Sequence, residues 1–307
     1  MSPSPRARSR GFAVILAIAV AATVASVATF LAWNGALGFR QIENIASARQ
    51  SGALVHAASA WAAATLLQDD SRVDYRGEAW ARSMPPIEID GVRVDATISD
   101  EQGKFNLNNL ADANGSRTAD VAAFRRLLVH VGLSESLADA VVDWIDVDSN
   151  VTAADSGAED SYYLGLDPPY RAANRPMVDV TELLLVRGFN EDRFRRLAPY
   201  VTALPVATKV NVNTASAELL AAVVKGLTPS DARSVVAARD REPFGSKADF
   251  GKRLPEPAID SANELLDVRT DYFLVQGTVQ SGRVAAGYRA LLWRVGPTVL
   301  SLTRTLG

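Results

Sequence analysis

The stretch RARSRGFAVILAIAVAATVASVATFLAWNGALGF, residues 6–39, decides how this chain begins. Three arginines precede Gly11, and no charged side chain occurs from Phe12 to Phe39. A helix needs about 20 apolar residues to cross a bilayer, whereas a cleaved secretory signal has an apolar region of roughly 7–15 residues and a small-residue cleavage site. The stretch therefore predicts a membrane span whose N-terminus stays cytoplasmic, and taken alone it also fits an ordinary signal anchor.

The helical pattern continues beyond the span. From Phe39 to Gln68 there is no proline, alanine is abundant, and apolar residues recur mostly every three or four positions, as on one face of a helix. A single helix from about Phe12 to about Asp69 would be on the order of 85 Å long. Its first half is expected in lipid and its second half against a soluble domain.

Two strand-like regions flank a helical middle. The segment IEIDGVRVDATISD, residues 87–100, has Asp90-Gly91 between two alternating runs, which predicts a β-hairpin. Residues 271–295 also alternate, with a turn expected at Gly282. The stretch between these regions shows helical spacing. This order predicts an α+β protein with a helical insertion between its strands.

The composition limits the chemistry. The chain has no cysteine, which excludes disulfides and thiolate metal sites, and its only histidines are His56 and His130. A net charge of −3 gives no general attraction to nucleic acid. Because no phosphate loop, metal-binding histidine pair or nucleophile motif occurs, we do not expect an enzyme.

Residues 134–168 are strongly acidic, with nine Asp and Glu and no Lys or Arg. Carboxylates this dense repel one another, and Ca²⁺ would relieve the repulsion because it binds six to eight oxygen ligands. The twelve-residue calcium loop of helix–loop–helix proteins is absent, since counting from Asp146 gives no glycine at the sixth position and no glutamate at the twelfth. The spacing leaves a calcium site and a solvated acidic loop both open.

Residues 209–250 resemble a helix-hairpin-helix segment of competence-type DNA-binding proteins. Such modules hold phosphate with backbone N–H groups of a glycine-rich hairpin, but here Thr228 replaces the second glycine and Pro229 has no N–H. Residues 209–253 carry eight Lys and Arg against five Asp and Glu, a small excess for phosphate binding. We favour a structural helix pair and keep a membrane-anchored DNA-binding protein as the alternative.

Over nearly its whole length the sequence resembles the minor pseudopilin K family of type II secretion systems, also called general secretion pathway protein K. The resemblance rests on RGFAVILAI at the start, DEQGKFNLNNL (100–110), the segment from DWIDVDSN to LLLVRGF (143–189), and KVNVNTAS (209–216). It implies a pilin-like α+β fold: a long N-terminal helix packed on an antiparallel sheet, with a large all-helical domain inserted between strands.

The resemblance also implies a division of the chain. The expected parts are a prepilin leader at 1–11, the transmembrane half of the long helix at 12–39, a pilin-like helix with the first strands at 40–111, an inserted helical domain with the acidic segment at 112–207, a helix-hairpin-helix-like part at 208–268, and C-terminal strands at 269–307.

The family's processing and assembly are implied as well. A prepilin peptidase is expected to cut between Gly11 and Phe12 and to methylate the new amine, which removes three arginines and changes the net charge from −3 to −6. The mature protein is expected in the inner membrane with a periplasmic C-terminal domain. There it would cap and initiate the pseudopilus for export of folded periplasmic proteins. Its expected partners are other minor pseudopilins, the major pseudopilin filament and the inner-membrane assembly platform.

Leu16 departs from the usual pilin pattern. Most pilins have glutamate at the fifth mature position, where its carboxylate is thought to neutralise the N-terminal amine of a neighbouring subunit inside the membrane. An unpaired charge there costs several kcal/mol. With Leu16, this chain lacks the carboxylate for a subunit ahead of it, while the Phe12 amine still accepts one from the next subunit. This favours the tip position.

The family's inserted domain binds calcium near the segment that matches 143–179. The leading ligands implied by the resemblance are Asp146, Asp148, Glu159 and Asp160. Residues implied for a second site or an outer shell are Asp143, Asp155, Asn174 and Asp179.

Overall fold

The computed structural model describes residues 5–112, 115–255, 264–281 and 284–306. Its α-helices are α1 (Pro5–Leu67), α2 (Thr118–His130), α3 (Leu137–Ile145), α4 (Asp160–Tyr163), α5 (Glu191–Leu197), α6 (Ala217–Val223), α7 (Pro229–Arg239) and α8 (Lys247–Gly251). Its strands are β1 (Met84–Ile89), β2 (Val92–Asp100), β3 (Phe105–Asn106), β4 (Ala111–Asp112), β5 (Gly115–Ser116), β6 (Val201–Thr202), β7 (Val210–Asn211), β8 (Leu266–Asp267), β9 (Tyr272–Ser281), β10 (Val284–Val295) and β11 (Thr298–Leu306).

The helix α1 has the length that the sequence predicts. From Phe12 to Leu37 it is exposed and apolar, and its apolar part is long enough to cross a membrane. Its C-terminal part buries one face, with Leu54, Ala58, Ala62 and Leu66 at helical spacing. Alanine at two of these positions lets the helix lie close to the sheet.

Five strands form the main sheet, in the order β1-β2-β9-β10-β11, and all neighbours are antiparallel. The predicted hairpin is confirmed: Asp90 and Gly91 join β1 to β2 with φ of 51° and 76°, the left-handed conformation of a two-residue hairpin turn. The turn predicted at Gly282 lies outside the described residues. Together with α1 the sheet forms the pilin-like core, which includes Val94, Phe273 and Leu292.

The insert, residues 101–271, lies between the adjacent strands β2 and β9. It contains the helices α2 to α8, but it is not the all-helical domain that the resemblance implies: more than half of its described residues lie outside helices. It also has three pairs of two-residue strands, β3-β6, β4-β5 and β7-β8, that the sequence did not predict. A second core, separate from the pilin-like one, holds it together. In that core, Phe124 and Leu127 of α2 and Leu219 and Leu220 of α6 belong to one cluster.

This second core corrects two predicted boundaries. Residues 101–111 belong to the insert and not to the pilin-like part, because Phe105, Leu107 and Leu110 are buried in the insert's core. The predicted parts 112–207 and 208–268 are not separate either, because α2 and α6 pack on each other within that core.

A buried polar junction connects the two cores. Arg294 of β10 is 4% exposed and donates two 2.6 Å hydrogen bonds to the carboxylate of Asp74 and one of 2.7 Å to the Thr270 carbonyl. The Asn211 amide donates to the Asp74 carbonyl and to the Asp100 carboxylate. The segment after α1, the sheet and the insert are therefore fixed at one place.

Candidate metal centre

The acidic site is built where α3 ends and α4 begins. All nine residues of α3 are buried, so its position is fixed by packing. Asp146 follows the helix in an extended conformation, and Glu159 precedes α4 in another extended conformation. The loop 147–158 joins them and returns the chain to the same place.

Three of the predicted ligands converge. Asp146, Asp148 and Glu159 each place one carboxylate oxygen within 4.8 Å of the other two. Asp148 is exposed, whereas Asp146 and Glu159 are only 6% and 3% exposed. Carboxylates as buried as these need a cation or hydrogen-bond donors to offset their lost hydration.

The buried oxygens at this site lack such donors. Asp146 Oδ1, both carboxylate oxygens of Glu159 and the amide oxygen of Asn174 are buried without a hydrogen-bond partner. Asn174 is fixed by its own N–H groups, which donate to the carbonyls of Trp144 and Asp148. Its backbone is left-handed, with φ of 45°, a conformation that asparagine tolerates better than most residues. Three residues therefore offer buried, unpaired oxygens, the ligand type that Ca²⁺ requires. Asp148 adds an exposed carboxylate, whose Oδ1 accepts the backbone N–H and the side-chain amide of Asn150.

The pKa values of the two buried carboxyl groups are raised, as expected for acids that lack hydrogen-bond donors. Burial, with the charges of Asp148 and Asp143, raises the pKa of Asp146 to about 6. Burial, with the neighbouring carboxylates, raises the pKa of Glu159 to about 7. Both groups resist ionisation in the absence of a cation, so a divalent ion would have a direct electrostatic effect here.

Asp143, implied for a second site or an outer shell, accepts hydrogen bonds from the loop itself. Its two oxygens accept the backbone N–H groups of Thr152 at 3.0 Å and Ala158 at 2.7 Å. Gly157 approaches so closely that an added Cβ would lie 2.3 Å from Asp143 Oδ2, so only glycine fits there. Asp143 thus organises the loop from its inner side.

The remaining predicted ligands also have other partners. Asp160 accepts the backbone N–H of Ala172, and Asp179 accepts that of Thr181 as the N-cap of the following 3₁₀-helix. Asp155 directs its carbonyl oxygen toward Arg187, and its own side chain is exposed. The structure does not bring these three carboxylates into the group of Asp146, Asp148 and Glu159.

Sequence reasoning missed Arg187. Its guanidinium donates to the carbonyls of Gly157 and Asp155, on the loop between the converging carboxylates. No spacing rule connects an arginine to a loop about thirty residues earlier, so its role is visible only in the fold.

A second carboxylate group, Asp69, Asp74 and Glu78, also has oxygens within 4.8 Å of one another. Here Arg294 supplies the positive charge, with ion pairs to Asp69 and Asp74. Burial raises the pKa of Asp74 to about 6, although Arg294 opposes the shift. We assign this group to the junction and not to a metal.

The helix pair α6–α7 has the structural character that we favoured. Gly226 turns the hairpin with φ of 85°. Arg239 is buried and donates to the carbonyls of Val212 and Ala215, which directs this guanidinium inward and away from any phosphate. Asn213 exchanges two hydrogen bonds with the backbone of Phe244. The polar groups near the pair stabilise the insert.

Gly11, Phe12 and Leu16 all lie within α1. Phe12 and Leu16 are exposed on the helix surface. A long apolar helix packed on an antiparallel sheet, with a large helix-containing insert between adjacent strands, defines a large pilin-like protein.

Comparison with known proteins identifies the family. Two family profiles described as "Type II secretion system (T2SS), protein K" match residues 103–206 and 210–269. The chain is 39% identical over 290 residues to type II secretion system protein K of Pseudomonas aeruginosa, covering 90% of this chain and 86% of that protein. It is 30% identical over 327 residues to the protein K of Aeromonas hydrophila, covering 99% and 98%.

The fold is also similar to a chain in the crystal structure of the GspK-GspI-GspJ complex from the type 2 secretion system of enterotoxigenic Escherichia coli. The TM-score is 0.73 at 24% identity, and the match covers 84% of this chain and 96% of that one. The chain belongs to the type II secretion system protein K family, the minor pseudopilins, so the predicted family and α+β fold are confirmed. The DNA-binding alternative has no support among these matches.

Proposed function

We propose that this chain caps and initiates the pseudopilus at its tip, as a structural component without catalytic activity. The observation that carries the proposal is the insert, a second hydrophobic core between β2 and β9 that adds 101–271 to a pilin-like body. A filament shaft packs pilin-like subunits closely around their helices, and a domain of this size on every subunit would clash. At the tip there is no subunit above to clash with.

Membrane anchoring follows from α1. We infer that Phe12–Phe39 spans the inner membrane with its N-terminus in the cytoplasm, because the arginines at positions 6, 8 and 10 precede the apolar stretch. The rest of the chain would then be periplasmic. Cleavage between Gly11 and Phe12 by a prepilin peptidase, followed by methylation of the Phe12 amine, would remove those arginines.

The apolar Leu16 supports the tip position through electrostatics. A charged group inside a membrane is stabilised mainly by pairing with an opposite charge. Leu16 offers no carboxylate to a subunit ahead, whereas the amine of Phe12 can accept one from the subunit behind. Subunits would therefore be added on one side only.

The proposed partners are other minor pseudopilins in a tip complex. The solved structure with a similar fold is a complex of GspK with GspI and GspJ, and we infer an equivalent assembly for this chain. The major pseudopilin would follow below the tip, and the inner-membrane assembly platform would add subunits. The exported cargo would be folded periplasmic proteins.

We further propose a structural Ca²⁺ held by Asp146, Asp148, Glu159 and Asn174. The support is the set of buried, unpartnered oxygens at this place. A bound Ca²⁺ would neutralise the carboxylates and fix the loop 147–158. Asp146 is held at the end of α3, where its N–H donates to the Val142 carbonyl, and Asn174 is held next to it by hydrogen bonds to the carbonyls of Trp144 and Asp148.

The proposed processing and the proposed tip position are tested by separate experiments. Mass spectrometry of the protein from cells with active prepilin peptidase should find a mature N-terminus at Phe12 carrying one methyl group. Uncut protein would instead support a plain signal anchor.

Immunogold labelling of isolated pseudopili tests the position itself. The wild-type chain should lie at one end only. If the missing carboxylate adds to the effect of the insert's bulk, Leu16→Glu should raise the label in the shaft above the wild-type level, and Leu16→Gln, which is polar but uncharged, should not. Wild-type label along the shaft would contradict the tip role. If Leu16→Glu protein is as rare in the shaft as the wild type, the charge argument fails, and the size of the insert alone explains the tip position.

A further inference from the structure

Arg187 lies on the outer side of the loop that joins the converging carboxylates. Its Nη1 donates to the Gly157 carbonyl at 2.7 Å, and its Nη2 donates to the Asp155 carbonyl at 3.1 Å. These two carbonyls lie close to Glu159 along the chain, because Gly157 is two residues and Asp155 four residues before it. One planar guanidinium therefore holds two neighbouring points of backbone, which its fork of donors suits.

The same residue also fixes the chain after Glu159. The guanidinium carbon of Arg187 lies 4.8 Å from the centroid of the Tyr162 ring, a cation–π contact. The backbone N–H of Arg187 donates to the hydroxyl of Tyr163 at 3.2 Å. Both tyrosines belong to α4, the helix that begins directly after Glu159. Arg187 thus contacts the backbone before Glu159 and the side chains after it.

Asp143 and Arg187, two side chains of opposite charge, both bond to the backbone of the loop 147–158. Asp143 accepts backbone N–H groups on the inner side, and Arg187 donates to backbone carbonyls on the outer side. The loop between Asp148 and Glu159 has neither helix nor strand to hold it. The position of Glu159 relative to Asp146 therefore depends on these two residues, together with the hydrogen bond from the Ser156 hydroxyl to the Asp139 carboxylate.

We propose that Arg187 is a positioning residue for the cation site, one that preorganises Glu159 for Ca²⁺. The proposal rests on the calcium site proposed above. It makes a prediction opposite in sign to simple electrostatics. A fixed positive charge near a cation site repels the ion, so its removal by itself would tighten binding. If Arg187 positions the ligand, its removal weakens binding.

The test is a calcium titration of the full-length protein in detergent, by calorimetry and by Tb³⁺ luminescence sensitised through Trp144, whose carbonyl accepts the N–H of Asn174. Arg187→Met removes charge and donors while keeping the chain length. It should weaken calcium binding about tenfold, within the range for residues that orient metal ligands. Arg187→Lys keeps one donor and the charge, and it should restore part of the affinity.

Arg193→Met is the matched control. Arg193 lines the same cavity of about 370 Å³ as Arg187, but it donates to the Gly188 carbonyl and not to the loop. Its removal takes away an equal charge, so binding should be unchanged or tighter.

The outcomes separate the two proposals. If Arg187→Met and Arg187→Lys bind calcium as tightly as wild type, or more tightly, and both are folded in excess calcium by circular dichroism, the role of Arg187 is overturned and the calcium site stands. If the wild-type protein binds neither Ca²⁺ nor Tb³⁺, the calcium site and the role of Arg187 are both overturned.

Discussion

In the pilin-like part, one 63-residue helix and five long strands pair their backbone groups with one another, whereas the described helices of the insert have 4 to 13 residues and its strand pairs have two. Short elements leave many backbone groups without a partner in their own element. In the insert, buried asparagines supply the missing bonds to backbone of distant segments. These residues are Asn106, Asn108, Asn109, Asn211 and Asn213.

Because their backbone groups find partners in different ways, the two parts depend on different interactions. The pilin-like part is stabilised by apolar burial and regular hydrogen bonding. The insert depends, besides its apolar core, on individual polar side chains and on the carboxylate site. Changes that remove one polar group should therefore affect the insert far more than the sheet, except at the junction, where both parts share Arg294.

The largest effect is expected from Arg294→Met. It would leave the fully buried Asp74 without its ion-pair partner, and breaking a buried pair costs about 3–5 kcal/mol. Arg72→Met is the matched control, because the Arg72–Asp70 pair is exposed at the surface, where solvent screens the ion pair and the free energy of unfolding should hardly change. Denaturant unfolding of the full-length protein in detergent measures both. If Arg294→Met lowers the free energy of unfolding as little as Arg72→Met does, the junction does not stabilise the contact between the two parts.

Asn108→Ala tests the polar dependence of the insert directly. Asn108 bonds to the backbone N–H and carbonyl of Met177 and to the carbonyl of Leu204. Three buried groups lose their partner, so a loss of about 3 kcal/mol in the free energy of unfolding is expected. Hydrogen exchange should rise mainly in peptides of the insert.

Leu292→Ala gives the opposite pattern. Leu292 is buried between α1 and the sheet, and its truncation should cost about 2–5 kcal/mol. Hydrogen exchange should then rise mainly in β9, β10 and β11. If Asn108→Ala and Leu292→Ala both raise exchange evenly over the whole chain, the two cores unfold as one unit and are not stabilised independently.

Calcium removal should act on the insert alone. At a free calcium concentration a hundred times the Kd, a bound ion stabilises by about 2.7 kcal/mol. Chelation should lower the thermal midpoint and speed hydrogen exchange around 146–174. Asp146→Asn should abolish the calcium response, and Asp155→Asn, an exposed acid of the same loop, should keep it. A calcium response unchanged in Asp146→Asn would place the ion elsewhere.

The smallest effect is a pH dependence of the calcium-free protein. The pKa of Glu159 is raised to about 7 by burial and by the neighbouring carboxylates, above its usual 4.5. The folded state therefore binds more protons than the unfolded state between these values, and stability falls as pH rises from about 4.5 to 7.

Glu159→Gln isolates this contribution. Subtracting the unfolding free energies of the two proteins should leave a slope on the order of 1 kcal/mol per pH unit within the window, because groups that do not interact with Glu159 titrate alike in both proteins. A flat difference would mean that Glu159 is ionised throughout.

The sequence was informative where structure is local. The length of α1 follows from an uninterrupted apolar and alanine-rich pattern, and the Asp90-Gly91 turn follows from two adjacent residues. The boundary of the insert was not predictable, because Phe105 and Leu107 alternate like strand residues. Only the pairing of β3 with β6, almost a hundred residues away, assigns them to the insert.

The acidic segment shows the same limit on a smaller scale. The family resemblance placed Asp146, Asp148 and Glu159 in one candidate set, and the fold brings them together. It also included Asp143 and Asp160, whose oxygens instead accept backbone N–H groups. The direction of a carboxylate depends on which donors the surrounding loops offer, and this information is not contained in the distance between residues along the chain.

The insert enters and leaves the sheet at a single point. Asp100 at the end of β2 pairs with Phe273 of β9, and the N–H of Glu101 donates to the Tyr272 carbonyl at 3.0 Å. In topological terms, 101–271 is the loop of an ordinary β-hairpin. The entropy cost of closing a loop grows only slowly with its length, and here the sheet already holds the two ends together. The register of β2 with β9 is therefore set by the strands themselves and does not depend on how long the chain between them is.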